Sequence, residues 1–214
     1  IIDSKLSSAT TAVYKYSTST TTITNTDITG NINNTKTAGI LNITGGSIVG
    51  NFTNTGRATL REVEMNYTTE ASGDEQMIQN PGILTLEDGS YKFINKYKYS
   101  SDYITRIINN TGTLTSDNNI YEVIHDTDDN YKTMIGIYNT GILTSSRDSF
   151  DISKGNNGYG IYTNTTNAGT ISSITTNIHD NNYSRGINAE AGSITINGGE
   201  LNTTGSTSGI SLYI

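Results

Sequence analysis

Two carboxylates and a histidine at equivalent positions of a repeating pattern are the side chains best suited to chemistry. Glu122, Asp151 and His179 each stand ten residues after the glycine of a recurring motif. If these positions stack at the spacing of neighbouring β-strands, the carboxylates would lie about 5 Å apart, as in a retaining glycosidase. The histidine could then transfer a proton or bind a metal ion. The competing interpretation is an exposed row of charges in which Lys92, Glu122, Asp151 and His179 partly neutralise one another.

An acidic stretch carries oxygen-bearing side chains at alternate positions, as calcium-binding loops do: Asp126, Asp128 and Asn130. The rest of that motif is missing, because Tyr131 stands where the loop needs glycine and Ile137 where it needs glutamate. Calcium is therefore the one cofactor hypothesis that the sequence offers, and no other cofactor is expected. An acidic loop in solvent is the competing interpretation.

The aromatic residues are strongly biased towards tyrosine, with 14 Tyr, three Phe and no Trp. A tyrosine offers a flat apolar face and a hydroxyl group, which suits contacts with sugars or proteins. Several tyrosines alternate with basic residues in the longest repeats, which predicts a ligand-binding surface on lateral loops. In the competing interpretation Tyr91 and Tyr121 belong to the core and the other tyrosines shield loops or edges. The predicted ligand-binding residues are Tyr97, Tyr99, Tyr103, Lys96, Lys98, Tyr131, Lys132, Tyr159, Tyr183 and Arg185.

The elements that would position these side chains are β-strands. Thr, Asn, Ser and Gly account for 106 of the 214 residues, and Ile outnumbers Leu 29 to 9. Because β-branched residues favour strands and lose side-chain freedom in helices, we expect almost no helix. The net charge of −7, without a basic run, argues against nucleic-acid binding. No apolar stretch approaches the roughly 20 residues of a membrane span, and the lack of Cys excludes disulfides, a thiol nucleophile and a zinc–thiolate site.

A motif Asn-x-Gly-x-Leu-Thr recurs along the chain and is clearest at Gly112 and Gly141. Two and nine residues after each motif glycine the side chain is apolar or aromatic, and three residues after it the side chain is polar. This alternation is typical of a strand with one buried face, and with the segments between motifs it predicts three short strands per repeat. The glycines that define the seven repeats are Gly39, Gly56, Gly82, Gly112, Gly141, Gly169 and Gly192.

Inward columns that stay in phase while the loops vary in length predict a β-solenoid. We expect an all-β fold, a right-handed parallel β-helix of about seven to eight turns over residues 37–214, truncated at its C-terminus. A ladder of Asn amides two residues before the motif glycine, with the backbone freedom of that glycine, would form one corner. Residues 1–36 lack the columns and are expected to form an N-terminal cap or the remnant of a preceding module. A β-sandwich of hairpins is the alternative, because Asn157-Gly158 and Asn197-Gly198 suit hairpin turns.

A resemblance to a known family rests on the runs from Gly136 to Thr144 and from Gly192 to Gly199. These runs resemble the repeats of large bacterial and archaeal adhesin-like surface proteins, which have the pectin-lyase-like right-handed β-helix, as autotransporter passenger domains do. The resemblance covers roughly residues 37–214. It implies a secreted, cell-surface location and a role in attachment.

We therefore expect a non-catalytic extracellular adhesin or stalk module of a larger surface protein, which binds a host-surface protein or a glycan through its Tyr- and Lys-rich lateral loops. We expect no nucleic-acid partner, no membrane insertion by this segment, and a monomeric segment of a longer chain. A polysaccharide-degrading β-helix enzyme, either a lyase or a glycoside hydrolase, is the alternative. An ice-binding solenoid is a third hypothesis, but the Thr-x-Thr pattern of Thr113-Leu114-Thr115 does not persist in the adjacent repeats.

Overall fold

The computed structural model of this chain describes residues 1–98, 103–126, 132–167 and 169–213, and every regular element among them is a β-strand. The abundance of β-branched residues and the alternation of apolar and polar side chains account for this choice. In chain order the strands are β1 (Lys5–Lys15), β2 (Thr20–Thr24), β3 (Asp27–Asn34), β4 (Ile40–Thr44), β5 (Ser47–Val49), β6 (Phe52–Asn54), β7 (Arg57–Arg61), β8 (Glu64–Thr69), β9 (Glu75–Asn80), β10 (Ile83–Glu87), β11 (Ser90–Asn95), β12 (Ile104–Asn110), β13 (Thr113–Asp117), β14 (Ile120–His125), β15 (Thr133–Asn139), β16 (Ile142–Ser146), β17 (Ser149–Ser153), β18 (Asn157–Asn164), β19 (Gly169–His179), β20 (Tyr183–Ala191), β21 (Ile194–Thr204) and β22 (Ser208–Tyr213).

The described strands pair in parallel and form three ladders along a coil. The first ladder contains β2, β4, β7, β10, β13, β16 and the first halves of β19 and β21. The second contains the first halves of β1 and β3, then β5, β8, β11, β14, β17 and the second halves of β19 and β21. The third contains the second halves of β1 and β3, then β6, β9, β12, β15, β18, β20 and β22.

The chain passes through the three ladders in this order for about eight turns. This confirms the predicted all-β parallel solenoid, with three strand segments in each turn. The sandwich alternative is wrong, because it needs antiparallel hairpins and the described strands pair in parallel. The right-handed sense of the coil stays a prediction.

Inward side chains form continuous columns inside the coil. In the first ladder the successive Cα partners are Leu41, Ala58, Leu84, Leu114 and Leu143, and all are buried. Burial of each leucine side chain stabilises the fold by about 1.5–3 kcal/mol. The predicted columns are thus confirmed from the Gly39 repeat to the Gly141 repeat. The matching column of the second ladder consists of Ile48, Met65, Tyr91, Tyr121 and Phe150.

The prediction for the repeat at Gly169 is wrong by two residues. Leu143 pairs with Gly169 rather than with Ile171. The second ladder shifts by the same amount, so Thr176 takes the core position that was predicted for Ile178. A shift of two residues keeps every side chain on its own face of the strand, because side chains alternate with a period of two. Ile171 and Ile178 therefore remain buried in neighbouring columns.

In each turn, one residue at the bend between the first and second ladders has a left-handed backbone. Gly45, Asn118 and Arg147 are examples, with φ of 65°, 57° and 54°. In the repeats from Gly39 to Gly141 this residue lies six positions after the motif glycine, so the prediction that the motif glycine supplies the backbone freedom is wrong at Gly112, whose φ is not positive. Gly112 is needed for a different reason: a Cβ atom there would lie 2.1 Å from the carbonyl oxygen of Gly82 on the preceding turn.

Buried side-chain amides form a ladder at the end of the third-ladder strands. Asn54 Nδ2 donates to Asn80 Oδ1 at 2.9 Å, and Asn80 Nδ2 donates to Asn110 Oδ1 at 2.7 Å. Asn110 Nδ2 in turn donates to Asn139 Oδ1 at 2.6 Å. The predicted amide ladder is therefore confirmed for these four residues. Asn167, the counterpart in the shifted repeat, is exposed.

The N-terminal strands belong to the same ladders, because β1 pairs with β3 and β2 pairs with β4. The role of residues 1–36 as a cap or as the remnant of another module stays a prediction. None of the described residues forms a helix long and apolar enough to cross a membrane.

Candidate functional site

The outward column that contains Glu122 and Asp151 lies on the solvent face of the second ladder. Lys92 pairs with Glu122, and Glu122 pairs with Asp151, as Cα partners on successive turns. Lys92 Nζ lies 2.9 Å from Glu122 Oε1. The prediction that His179 is the next member of this column is wrong, because Asn177 pairs with Asp151. His179 lies two residues further along the same face.

His179 still contacts the outward column of Lys92, Glu122 and Asp151, called the acidic column below, from a diagonal position. Its Nε2 lies 3.0 Å from Asp151 Oδ1, and its Nδ1 lies 2.8 Å from Asp180 Oδ2. Burial of the imidazole opposes its charged form, but hydrogen bonds to Asp180 and Asp151 raise the pKa of His179 above its usual value. Glu122 and Asp151 therefore each have a basic partner on a neighbouring turn, Lys92 and His179 respectively. Chemically this geometry supports a row of partly exposed ion pairs.

A second predicted cluster encloses a lysine between two tyrosine rings. The Lys132 ammonium group lies 4.6 Å from the ring centre of Tyr97 and 4.8 Å from that of Tyr103, and the two rings lie 5.7 Å apart. Lys132 is fully buried. The ammonium group of Lys132 is therefore enclosed, whereas the rings of Tyr97 and Tyr103 are half-buried. Lys96 is half-buried and Lys98 is exposed.

Four predicted site residues, Tyr99, Asp128, Asn130 and Tyr131, lie outside the described residues. Asp126 is described and is exposed. Within the described ranges, no group of three or more His, Cys, Asp or Glu side chains is placed to hold a metal ion. The calcium hypothesis stays a prediction.

Aromatic and guanidinium groups form a row on the outward face of the third ladder, over β12, β15, β18, β20 and β22. Two adjacent columns supply this row. In one column Tyr138 pairs with Tyr162, and Asn188 links Tyr162 to Tyr213. In the other column Ile135 links Arg106 to Tyr159, which pairs with Arg185. We call this row the Arg–Tyr surface; its members are Arg106, Tyr138, Tyr159, Tyr162, Arg185 and Tyr213.

At one end of the Arg–Tyr surface, Arg106 lies over the ring of Tyr138. The guanidinium carbon is 4.9 Å from the ring centre, and Arg106 Nη2 is 3.2 Å from Asp74 Oδ2. Tyr138 stacks on Tyr162 with ring centres 5.3 Å apart. Because Arg106 is only 9% exposed, the carboxylate and the ring together compensate part of the loss of water around its charge, while the buried Nε has no hydrogen-bond partner among the described residues.

At the other end, Arg185 lies between two tyrosine rings. Its guanidinium carbon is 5.7 Å from the ring centre of Tyr159 and 4.2 Å from that of Tyr213. Arg185 Nη1 donates a hydrogen bond to Asn188 Oδ1 at 2.9 Å. Tyr159 meets Tyr162 edge to face at 5.3 Å, which joins this end to the first. The contacts therefore run without a break across five successive strands of the third ladder.

The phenol groups of Tyr159 and Tyr162 remain protonated at neutral pH. Burial raises the pKa of Tyr162, and a hydrogen bond to Glu190 and its charge raise that pKa further. Burial also raises the pKa of Tyr159, which the charge of Arg185 partly offsets. The surface thus combines guanidinium groups, neutral hydroxyl groups and aromatic rings, which suit contacts with sugar hydroxyls and with polar protein surfaces.

The sequence analysis selected part of this surface and missed the rest. It selected Tyr159 and Arg185, together with Tyr183, which is exposed at the start of β20. It missed Arg106, Tyr138, Tyr162 and Tyr213. A signal for Tyr138 and Tyr162 was present, because each follows a Gly-Ile pair and therefore stands at the same outward position of the third ladder.

Comparison with protein-family models, curated proteins and solved structures gives no match for this chain. The structure therefore establishes the fold class of this chain, which is a parallel β-solenoid of about eight turns. The family resemblance rests on the repeat sequences alone.

Proposed function

We propose that this chain is a non-catalytic extracellular adhesin or stalk module of a larger surface protein, and that it binds a host protein or a glycan laterally through the Arg–Tyr surface. The Arg–Tyr surface itself is the observation that carries the proposal. Tyr and Arg are the side chains that contribute most often to binding hot spots. Here they form one continuous row on a surface that is otherwise rich in Thr, Asn and Ser.

Rigidity of the coil favours this use of the surface. Each member of the row sits on a strand that is hydrogen-bonded on at least one edge, and its side chain is held by a neighbouring ring or guanidinium group. A ligand therefore orders few side chains when it binds, and each side chain that need not be ordered saves about 0.5–1.5 kcal/mol. Stacked turns also extend the row lengthwise, which suits a long glycan chain or an extended protein segment.

A glycan and host-protein array probed with the purified chain tests this function. We expect Arg185→Ala and Tyr162→Ala to lower affinity at least tenfold for whichever array members bind, because Tyr162 contacts both Tyr138 and Tyr159 and Arg185 joins Tyr159 to Tyr213. The matched control is Arg147→Ala, since Arg147 is exposed and lies at the bend between the first and second ladders rather than on the third ladder. Circular dichroism of each variant verifies that the coil is intact.

Two results would contradict the proposal. One is binding that survives both Arg–Tyr variants undiminished while Tyr97→Ala abolishes it, which would move the site to the loop cluster around Lys132. The other is an array on which the chain binds no glycan and no host protein, which would contradict the proposed lateral binding and leave only the stalk role.

One observation favours the alternative, a polysaccharide-degrading lyase or glycoside hydrolase: Glu122 and Asp151 are adjacent on an outward face. Turnover of a glycan panel by the unaltered chain, lost in Glu122→Ala and in Asp151→Ala, would establish the enzyme. We expect no turnover, because Lys92 and His179 already pair with these carboxylates.

A further inference from the structure

Arg185 carries a positive charge that no carboxylate of the described residues neutralises. Its guanidinium group lies between the rings of Tyr159 and Tyr213, on the preceding and following turns, and Nη1 donates to Asn188 Oδ1. Its other nitrogen atoms have no acceptor within the described part of the chain and are reachable from solvent. Because β20 is paired with β18 on one edge and with β22 on the other, these are the surroundings of an interior turn.

The other charged groups near Arg185 on this face already have partners. Arg106 Nη2 contacts Asp74 Oδ2 at 3.2 Å. Glu190 accepts hydrogen bonds from the Tyr162 hydroxyl group and from Asn164 Nδ2. A guanidinium group with free N–H donors binds the two oxygen atoms of a carboxylate in one plane. Arg185 is therefore the position of the Arg–Tyr surface at which an anionic group of a ligand gains most.

The ring of Tyr138 offers its edge rather than its faces to a ligand. It lies between Arg106 of the preceding turn and Tyr162 of the following turn, which cover its two faces. The edge of an aromatic ring carries partial positive charge. The hydroxyl groups of Tyr138 and Tyr159 have no hydrogen-bond partner among the described residues and are not sealed from solvent. This part of the surface therefore offers hydrogen-bond donors and a positive ring edge, which favour a ligand rich in acceptors.

We propose that Arg185 binds the carboxylate group of an acidic sugar within an otherwise neutral glycan. This inference rests on the proposed lateral binding function and specifies its ligand. A glycan fits better than an acidic protein segment, because protein hot spots require side chains buried in well-packed pockets, and the covered ring faces leave little apolar surface for them. Sugar hydroxyl groups, in contrast, can exchange hydrogen bonds with the hydroxyl groups of Tyr138 and Tyr159.

Neighbouring carboxylates limit the ligand to one acidic sugar at this position. Glu190 lies on the same strand as Arg185. Asp74 lies beside Arg106, which is three turns from Arg185 in the same column, or about 14 Å at the spacing of neighbouring strands. A polymer with a carboxylate on every sugar would bring further negative charges towards Glu190 and Asp74, and like charges repel. A single acid among neutral sugars avoids this repulsion.

Nuclear magnetic resonance titration of the isotopically labelled, intact chain tests the proposal. The two acidic probes are sialyllactose and a disaccharide of glucuronate and a neutral sugar, which distinguish two sources of a sugar carboxylate. We expect at least one of them to shift the Arg185 Nε–Hε resonance and to bind at least tenfold more tightly than its own carboxyl methyl ester. Trigalacturonate, with a carboxylate on each sugar, should bind more weakly than the preferred acidic probe.

Two variants locate the effect. Arg185→Gln should reduce the affinity for the acidic probe to that of its methyl ester and leave the affinity for the ester unchanged. Glu190→Gln should raise the affinity for the acidic probe by about twofold or more, because it removes a nearby negative charge. The matched control is Arg147→Gln, since Arg147 is exposed and pairs with Asp117 on another part of the coil. The control should bind like the unaltered chain.

Four results would overturn the proposal: binding of neither acidic probe, equal affinity for acid and ester, undiminished binding by Arg185→Gln, and tighter binding of a peptide with a single glutamate than of either acidic sugar. Any of them leaves the lateral binding function intact if Tyr162→Ala still weakens binding on the array. Array binding that ignores both Tyr162→Ala and Arg185→Ala would instead refute the proposed function itself.

Discussion

Replacement of Asn110 by alanine should destabilise the coil far more than replacement of its neighbour Asn109. Asn110 is fully buried; it accepts a hydrogen bond from Asn80 Nδ2 at 2.7 Å and donates to Asn139 Oδ1 at 2.6 Å and to the Ile142 carbonyl at 3.1 Å. Each net hydrogen bond contributes about 1 kcal/mol, so the loss of three costs about 3 kcal/mol. That corresponds to a folding constant lower by roughly a factor of 100.

Guanidinium unfolding followed by circular dichroism measures the difference. Asn109 lies on the same strand with its side chain directed outward, so Asn109→Ala should change the free energy of unfolding by no more than about 0.5 kcal/mol. The double variant Asn110→Ala/Asn139→Ala should cost less than the sum of the two single variants, because these residues share a hydrogen bond. Equal effects of Asn110→Ala and Asn109→Ala would refute the stabilising role of the amide ladder.

Three further predictions concern the motif glycine Gly112, with Gly198 as its control, and the titration of Asp148 and of His179. Gly112→Ala should prevent folding or lower the thermal midpoint strongly, since its Cβ would lie 2.1 Å from the Gly82 carbonyl oxygen. Gly198→Asn should leave the midpoint nearly unchanged, because a Cβ there meets nothing within 4 Å and asparagine tolerates its φ of 72°. Burial raises the pKa of the Asp148 carboxyl, although hydrogen bonds from Ser145 and other neighbours partly offset this rise. The free energy of unfolding should therefore fall as pH rises from about 4 through the folded-state pKa. Urea unfolding of Asp148→Asn should lack this pH dependence. The raised pKa of His179 gives the same sign in a higher window: its stabilising contribution is complete below about pH 6.5 and is lost as pH rises through the folded pKa, and His179→Asn should flatten that step.

The architecture could be predicted from the sequence because apolar residues recur at the core positions of successive repeats. Leu84, Leu114 and Leu143 follow glycine at a fixed distance, and their alternation with polar residues defines which face is buried. A steric requirement fixes most of the motif glycines, such as Gly82, Gly112 and Gly141, since neighbouring turns approach too closely there for a side chain, whereas a Cβ at Gly169 would meet nothing closer than 3.5 Å. Both signals survive changes in loop length, which is why the columns could be followed through repeats of different size.

The register near Gly169 could not be predicted for a physical reason. Ile171 is buried in either register, because a slip of two residues preserves the alternation of inward and outward side chains. The Asn-Ala-Gly sequence matched the motif, yet Gly169 itself pairs with Leu143, and Ile171 pairs with Ser145. The same slip displaced His179 from the acidic column.

The left-handed backbone conformation at the bends could not be predicted from the sequence either, because residues as different as Glu62, Asn118 and Arg147 adopt it. The coil imposes this backbone conformation whatever the local preference. Of the candidate sites, the acidic column could be found from residue spacing. The Arg–Tyr surface was found only in part, because contacts between its two columns depend on which outward side chains the third ladder brings side by side.

Engineered cysteine pairs test the parallel, in-register stacking most directly, and the lack of native Cys makes the readout unambiguous. Thr115 and Thr144 are exposed Cα partners on successive turns, and Thr144 pairs next with Thr170. Mild oxidation should therefore form an intramolecular disulfide in Thr115→Cys/Thr144→Cys and in Thr144→Cys/Thr170→Cys, because neighbouring strands bring Cα atoms within the range of about 4.4–6.8 Å that a disulfide requires. Thr144→Cys/Ser172→Cys, which represents the other register, should remain largely reduced. Efficient bridging of the Ser172 pair together with failure of the Thr115 pair would contradict the stacked coil described here.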